Sequence, residues 1–161
     1  ASAAVSRAIV PHSIYTGVLQ RRGIRLSTPA RPGWLAEGTV ESLVRPPHTV
    51  GPATPFSELA VQLLELPWGV DLQVVDGAGR WLGTASLAAL KAHLPDQAVL
   101  SMVVAGDVMN TGGASLEPQS SLSDARERLS RTQVEELPVV DASGRLIGAV
   151  RRSDLDHLDR P

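Results

Sequence analysis

The sequence predicts an α/β protein of the α+β kind, built as two copies of one small unit that close on each other about a pseudo-twofold axis. Three observations predict it. First, "QVVDGAGRWLG" (Gln73–Gly83) and "PVVDASGRLIG" (Pro138–Gly148) match at Val74/Val139, Val75/Val140, Asp76/Asp141, Gly79/Gly144, Arg80/Arg145 and Gly83/Gly148, each pair 65 residues apart. Second, the match continues upstream with a one-residue slip. Pro52 faces Pro118, Phe56 faces Leu122, Ser57 faces Ser123 and Glu58 faces Asp124. Third, one unit of roughly 50 residues buries too little surface to be secure alone, whereas two units packed sheet to sheet share a core.

Each copy opens with a short extended segment, near Val50 and near Leu116. A helix follows through "ELAVQLLEL" or "DARERLSRT", with Ser57 and Ser123 as N-cap residues and an acid in the first turn. The β-branched runs "LQVVD" and "LPVVD" have strand length. Asp76 and Asp141 then bond turn amides. Gly79 and Gly144 supply the positive φ that closes the loops D-G-A-G and D-A-S-G. Second strands run through "RWLGTAS" and "RLIGAVR", and a short helix begins near Leu87 or Ser153. Glu135 and Glu136 read as a solvated lead-in to a strand, and Trp34 and Trp81 as packing residues.

Composition bounds the chemistry. The chain has 161 residues, 43% of them hydrophobic but only 3% aromatic, so the core is built from Val, Leu, Ile and Ala. A net charge of −2 with no basic stripe gives no reason to expect nucleic acid. The absence of cysteine excludes disulfides, thiolate catalysis and zinc–thiolate sites. His12, His48, His93 and His157 are scattered, which argues against a metal site. There is no nucleophile elbow and no P-loop, so an enzyme is not expected. No apolar run reaches membrane-spanning length, and Arg7 and Pro11 interrupt what would be a signal peptide. A start at Ala1 suggests a chain processed or cut from a longer one.

The repeated residues resemble a CBS-domain pair, or Bateman module. Copy two matches through "DVM" (Asp107–Met109), "SLEPQSSLSDARERL", "LPVVDASGRLIGAV" and "SDLDHL"; copy one matches more weakly but in register. The resemblance implies an adenine nucleotide (ATP, ADP or AMP) in a cleft between the copies. It also implies a Gly-hydrophobic-hydrophobic-Thr/Ser-x-x-Asp pattern after the second strand. The Asp of that pattern bonds the ribose hydroxyls, and the Thr or Ser contacts sugar or phosphate. A carboxylate can accept from both hydroxyls of a cis-diol, at about 1.5–3 kcal/mol per charge-assisted bond. Here the pattern is divided. "GAVRRSD" keeps Gly148 and Asp154 but has Arg151 at the hydroxyl position; "GTASLAA" keeps Ser86 but has Ala89 at the acid position. The resemblance therefore makes Asp154 the ribose anchor and sets Arg151 and Arg152 towards phosphate. Trp68 becomes an adenine platform, with Thr49 and Val50 as the other wall. Competing structural roles are an acid favoured in a helix's first turn for Asp154, and simple packing for Trp68.

"HSIYTGVLQRRGI" (His12–Ile24) resembles the last membrane helix and exit sequence of ClC-type chloride channels and antiporters. That resemblance implies that Tyr15 offers its hydroxyl to an anion without adding a trapping charge. Arg21, Arg22 and Arg25 suit a cytoplasmic helix end, Gly23 suits a helix terminus, and "STPARPGWLAEG" reads as a linker. The expected organisation is a membrane-helix end and exit (1–26), a linker (27–40), a first CBS domain (41–95), a connection (96–106) and a second CBS domain (107–158). The expected function is a regulatory module at the cytoplasmic face of the membrane. It would be joined to a membrane domain of the same polypeptide and would form a homodimer. The alternatives are a stand-alone or enzyme-linked adenylate sensor, and a ligand-free dimerisation platform.

Overall fold

The computed structural model describes residues 38–94 and 100–158. Tyr15, Arg21, Arg22, Gly23, Arg25 and Trp34 lie outside the described residues. Copy one contains a 3-10 turn (Val40–Leu43), β1 (Thr49–Val50), α1 (Phe56–Glu65), β2 (Leu72–Val75), β3 (Trp81–Ala85) and α2 (Leu87–His93). Copy two contains α3 (Ala105–Val108), α4 (Leu122–Thr132), β4 (Glu136–Val140), β5 (Leu146–Arg151) and α5 (Arg152–Leu158). β2 pairs antiparallel with β3 and parallel with β1; β4 pairs antiparallel with β5. Leu116 bridges Val139 in parallel, as Val50 does Val74, so the expected extended segment is present in both copies.

The hairpin turns follow the expected chemistry. Asp76 accepts from the amides of Ala78 and Arg80 and from Arg80 Nε. Asp141 accepts from the Ser143 amide and hydroxyl and from the Arg145 amide. These bonds hold both carboxyls below the usual Asp range. Gly79 and Gly144 sit at φ +80° and +83°. The two turns also meet each other. Arg80 bridges Arg145, with Trp81 N donating to Gly144 O at 2.9 Å and Leu146 N to Gly79 O at 3.0 Å. A residue that pairs with its own repeat mate marks the pseudo-twofold axis.

Around that axis the copies exchange arms. Arg45 pairs with Ala149 of copy two, and Asn110 pairs with Thr84 of copy one, two bridges related by the repeat. Val40 joins the copy-two core with Leu122, Leu129, Val139 and Val150. Ala105 and Val108 join the copy-one core with Phe56, Leu59, Leu72 and Val74. The arms also complete the helices. Phe56 N donates to Val103 O and Leu122 N to Gly38 O, so each arm takes up a donor that a helix start otherwise leaves orphaned. This corrects the expected caps. The N-caps are Pro55, which makes no side-chain cap bond, and Ser121, whose oxygen accepts from Asp124 N; Ser57 and Ser123 lie inside the helices. The helices start earlier because Phe56 and Leu122 must reach the core.

Arm crossing explains the repeated glycine. A Cβ on Gly148 would lie 2.6 Å from Arg45 O and collide with Val44 Cγ1; one on Gly83 would lie 2.7 Å from Asn110 O. Gly148→Ala and Gly83→Ala are each expected to lower unfolding free energy by about 1–3 kcal/mol through overpacking. Gly77→Ala, which faces open space, is expected to be neutral or to stabilise by up to about 1 kcal/mol. Urea melts of the three variants check this. Equal stabilities for Gly148→Ala and Gly77→Ala would remove the close-approach argument.

Candidate functional site

The two copies leave an open cleft of about 330 Å³ between them. Thr84 and Ser86 of copy one line one side. Ala114, Leu137 and Pro138 of copy two line another, and Asp71 and Glu136 also face in. No Arg, Lys or His is among its lining residues. Asp71 and Glu136 are repeat mates, each at the entry to the first strand of its hairpin.

Hydrogen bonding sets what the cleft offers. Gln73 is fully buried, and its Oε1 accepts from Trp81 Nε1 at 2.9 Å and from Thr84 Oγ1 at 3.0 Å. Thr84 thus spends its proton internally and presents lone pairs. Ser86 Oγ accepts from Ala89 N at 3.1 Å, capping α2, and keeps its proton to donate. Glu136 is not the solvated lead-in expected. Its side chain is 2% exposed, Oε2 accepts from Arg151 Nε at 2.8 Å, and Oε1 is buried with no partner. Strand β4 begins one residue into that acidic pair, which turns Glu136 inward. Burial, reinforced by the Glu136 charge, pushes the Asp71 carboxyl up to about 6.

The site residues named from the motif take other positions. Asp154 is 7% exposed and paired with Arg45. Arg45 Nε donates to Oδ2 at 2.8 Å and Arg45 Nη2 to Oδ1 at 2.6 Å. A buried carboxylate needs a partner, and the exchanged arm supplies a bidentate fork; Asp154 and Arg45 line a separate cleft with His157 and Leu158, not the central one. Arg151 is held by Glu136. Arg152 Nη2 donates to the carbonyls of Leu129 and Val134, tying α5 to α4. Neither arginine lines the central cleft. Thr49 is exposed on the edge strand and Val50 is buried in the copy-one core; neither lines the central cleft. Trp68 is 94% exposed, at the rim of a groove that shares Asp71 and Ser86 with the cleft. Only Ser86, of the residues expected, lines the cleft itself. Asp71, Thr84, Glu136 and Arg45 were not anticipated. The signal for the acids was present, since they are mates at the repeat spacing. Among the described residues, no group of three or more His, Cys, Asp or Glu is placed to hold a metal, and no helix is long and apolar enough to cross a membrane.

Comparison with known proteins agrees with this architecture. Residues 105–159 match the family model of the CBS domain. Arabinose 5-phosphate isomerase GutQ of Shigella flexneri is 42% identical over 48 residues, 30% of this chain; the match spans only 15% of that enzyme's length. Among solved structures, CBSX2 in complex with AMP is 28% identical, with a TM-score of 0.65 over 75% of this chain and 95% of its own. The CBS-domain pair of MJ0100, in complex with 5'-methylthioadenosine and S-adenosyl-L-methionine, is 20% identical (TM-score 0.63, 76% and 95% covered). The cytosolic domain of the Mg2+ channel MgtE, in complex with ATP, is 24% identical (TM-score 0.63, 78% and 52% covered). The fold is that of a tandem CBS-domain pair.

The Asp71 shift carries a sign. Its folded value of about 6 exceeds the ordinary 3.8, so between these values the folded chain holds a proton that the unfolded chain has released. Stability therefore falls as pH rises through this window. The full shift corresponds to at most about 3 kcal/mol, and screening at this half-buried site brings it nearer 1 kcal/mol. Asp71→Asn is expected to raise unfolding free energy by about 1 kcal/mol at about pH 8 and to give no gain at about pH 4. Denaturant melts across that range check it; a gain confined to low pH contradicts it.

Proposed function

With the fold of a CBS-domain pair as premise, we propose that this chain is a regulatory module whose central cleft takes an adenosyl ligand, and that its role is binding and not catalysis. The cleft itself carries the reading. It lies between the copies, has a volume at the lower end of small-molecule sites, and sets hydroxyls against apolar side chains. CBSX2, the relative of 28% identity, holds AMP. The motif aspartate lies outside this cleft and is paired with Arg45, so the reading does not depend on it.

The module regulates by pairing with a second copy and responding to ligand as a unit. Val61 and Leu64 on α1 and Trp68 in the loop after it are 56%, 70% and 94% exposed, and their apolar character suits an isologous contact. A ligand shifts such an assembly only through different affinity for two of its arrangements. We assign the host as a ClC-type anion transporter, with the module at the cytoplasmic face. "HSIYTGVLQRRGI" and the Arg-rich exit support that host. The match to an isomerase favours a second reading, an enzyme-linked sensor with the same cleft.

Calorimetric titration of the folded chain with adenosine, AMP, ADP, ATP and S-adenosylmethionine tests the ligand site. Heat is expected with at least one compound. Ala114→Phe, which fills the cleft, is expected to weaken binding by at least tenfold, about 1.4 kcal/mol, while Arg45→Ala leaves it unchanged. Binding that survives Ala114→Phe and strengthens in Arg45→Ala would move the site to Asp154; no heat at all would leave a dimerisation platform. The gene upstream of Ala1 separates the hosts, a series of long apolar helices against a soluble catalytic domain.

A further inference from the structure

We propose that the central cleft selects an adenosyl ligand carrying a positive charge and no phosphate, because two carboxylates and no basic side chain line it and a buried Glu136 oxygen lacks a donor. This rests on the reading of the cleft as an adenosyl site.

The charge balance is set by named groups. Asp71 and Glu136 both line the cleft. The nearest guanidinium in the hydrogen-bond network is Arg151, whose Nε is spent on Glu136 Oε2 at 2.8 Å. Arg45 and Arg152 are committed to Asp154, Leu129 and Val134. A phosphate entering the cleft would face two acids with no cation on its walls. Away from bulk water such repulsion is weakly screened.

The hydrogen-bond balance points the same way. Glu136 Oε1 is shielded from solvent and accepts nothing, on a side chain 98% buried. A buried acceptor without a donor costs free energy, and the charge beside it adds to the acidity of the cleft wall. Thr84 presents lone pairs because its proton goes to Gln73. The Ser86 hydroxyl retains a proton for the ligand, and Asn110 lines the cleft with an amide that can donate. The lining therefore offers neutral donors and two acids but no cationic donor. An ammonium group answers the acids by charge and hydrogen bonding and a sulfonium by charge alone; an ionised phosphate, anionic and acceptor-only, meets no cation there.

The test compares four probes on the full chain at low salt, at about pH 7.5, above the Asp71 value of about 6. S-adenosylmethionine, adenosine, AMP and ATP form a series of increasingly negative charge on one nucleoside. The expected affinity order is S-adenosylmethionine, adenosine, AMP, ATP, with at least tenfold between the first and third. Asp71→Asn is expected to narrow that gap by at least threefold without abolishing adenosine binding. AMP or ATP binding more tightly than adenosine, or an unchanged gap in Asp71→Asn, overturns the charge selection and leaves the adenosyl cleft standing. Failure of all four probes to bind overturns both.

Discussion

Each half of this molecule is unfinished without a short arm of the other. The arm around Val40–Arg45 closes the copy-two core, and the arm around Val103–Asn110 closes the copy-one core. The exchange satisfies backbone as well as side chains: the first amide of α1 and the first of α4 each donate to an arm carbonyl from the opposite half. Gly83 and Gly148 are the two positions where an arm passes so close that no side chain fits. Because both crossings must form together, the halves are fixed in one mutual orientation. Everything between them inherits that geometry.

The cleft is the space this orientation leaves open. The turn-to-turn pairing at Arg80 and Arg145 pins the hairpins at one place, and the arms pin their far strands at another. The entries to β2 and β4 then face the same volume, and both carry acids. Burial, and then the facing Glu136 charge, raise the Asp71 carboxyl and cost stability. Arg151 offsets part of this by holding one oxygen of Glu136, but it leaves Asp71 and the other Glu136 oxygen uncompensated. A scaffold required only to hold two halves together would be more stable with Asp71 replaced by an uncharged residue. An acid at that cost in a cleft wall is the pattern expected where binding and stability compete.

Much of the architecture was legible because its determinants are local and duplicated. The strands, both D-x-x-G turns and the short C-terminal helices follow from β-branched runs and from turn chemistry that needs no knowledge of distant residues. What escaped reading was tertiary. Ser57 and Ser123 look like caps until the arms supply donors' partners from elsewhere in the chain. Glu136 looks solvated until β4 turns it inward. Arg45 and Asp154 stand 109 positions apart, and nothing near either one announces their pairing. The acids of the cleft are an intermediate case. Their spacing equals that of the matched stretches, yet an Asp aligned with a Glu just outside the identical block attracts no notice unless the repeat is extended position by position.

That extension separates two kinds of position. Where the repeat serves the fold, the mates agree: Asp76 with Asp141, Gly79 with Gly144, Gly83 with Gly148. Where a ligand could be met, most diverge. Ser86 stands opposite Arg151, Ala89 opposite Asp154, Asn110 opposite Arg45 and Gln73 opposite Pro138. The divergences are coupled. Arg45, from the copy-one arm, meets the buried Asp154 of copy two, whereas copy one has Ala89 at the acid position and the copy-two arm carries Asn110, not an arginine. An ion pair therefore lines the cleft at Asp154, and no such pair can form at Ala89. The twofold repeat thus carries two unlike clefts, one bearing the Arg45–Asp154 pair and the central one bearing the acids Asp71 and Glu136 with no basic side chain.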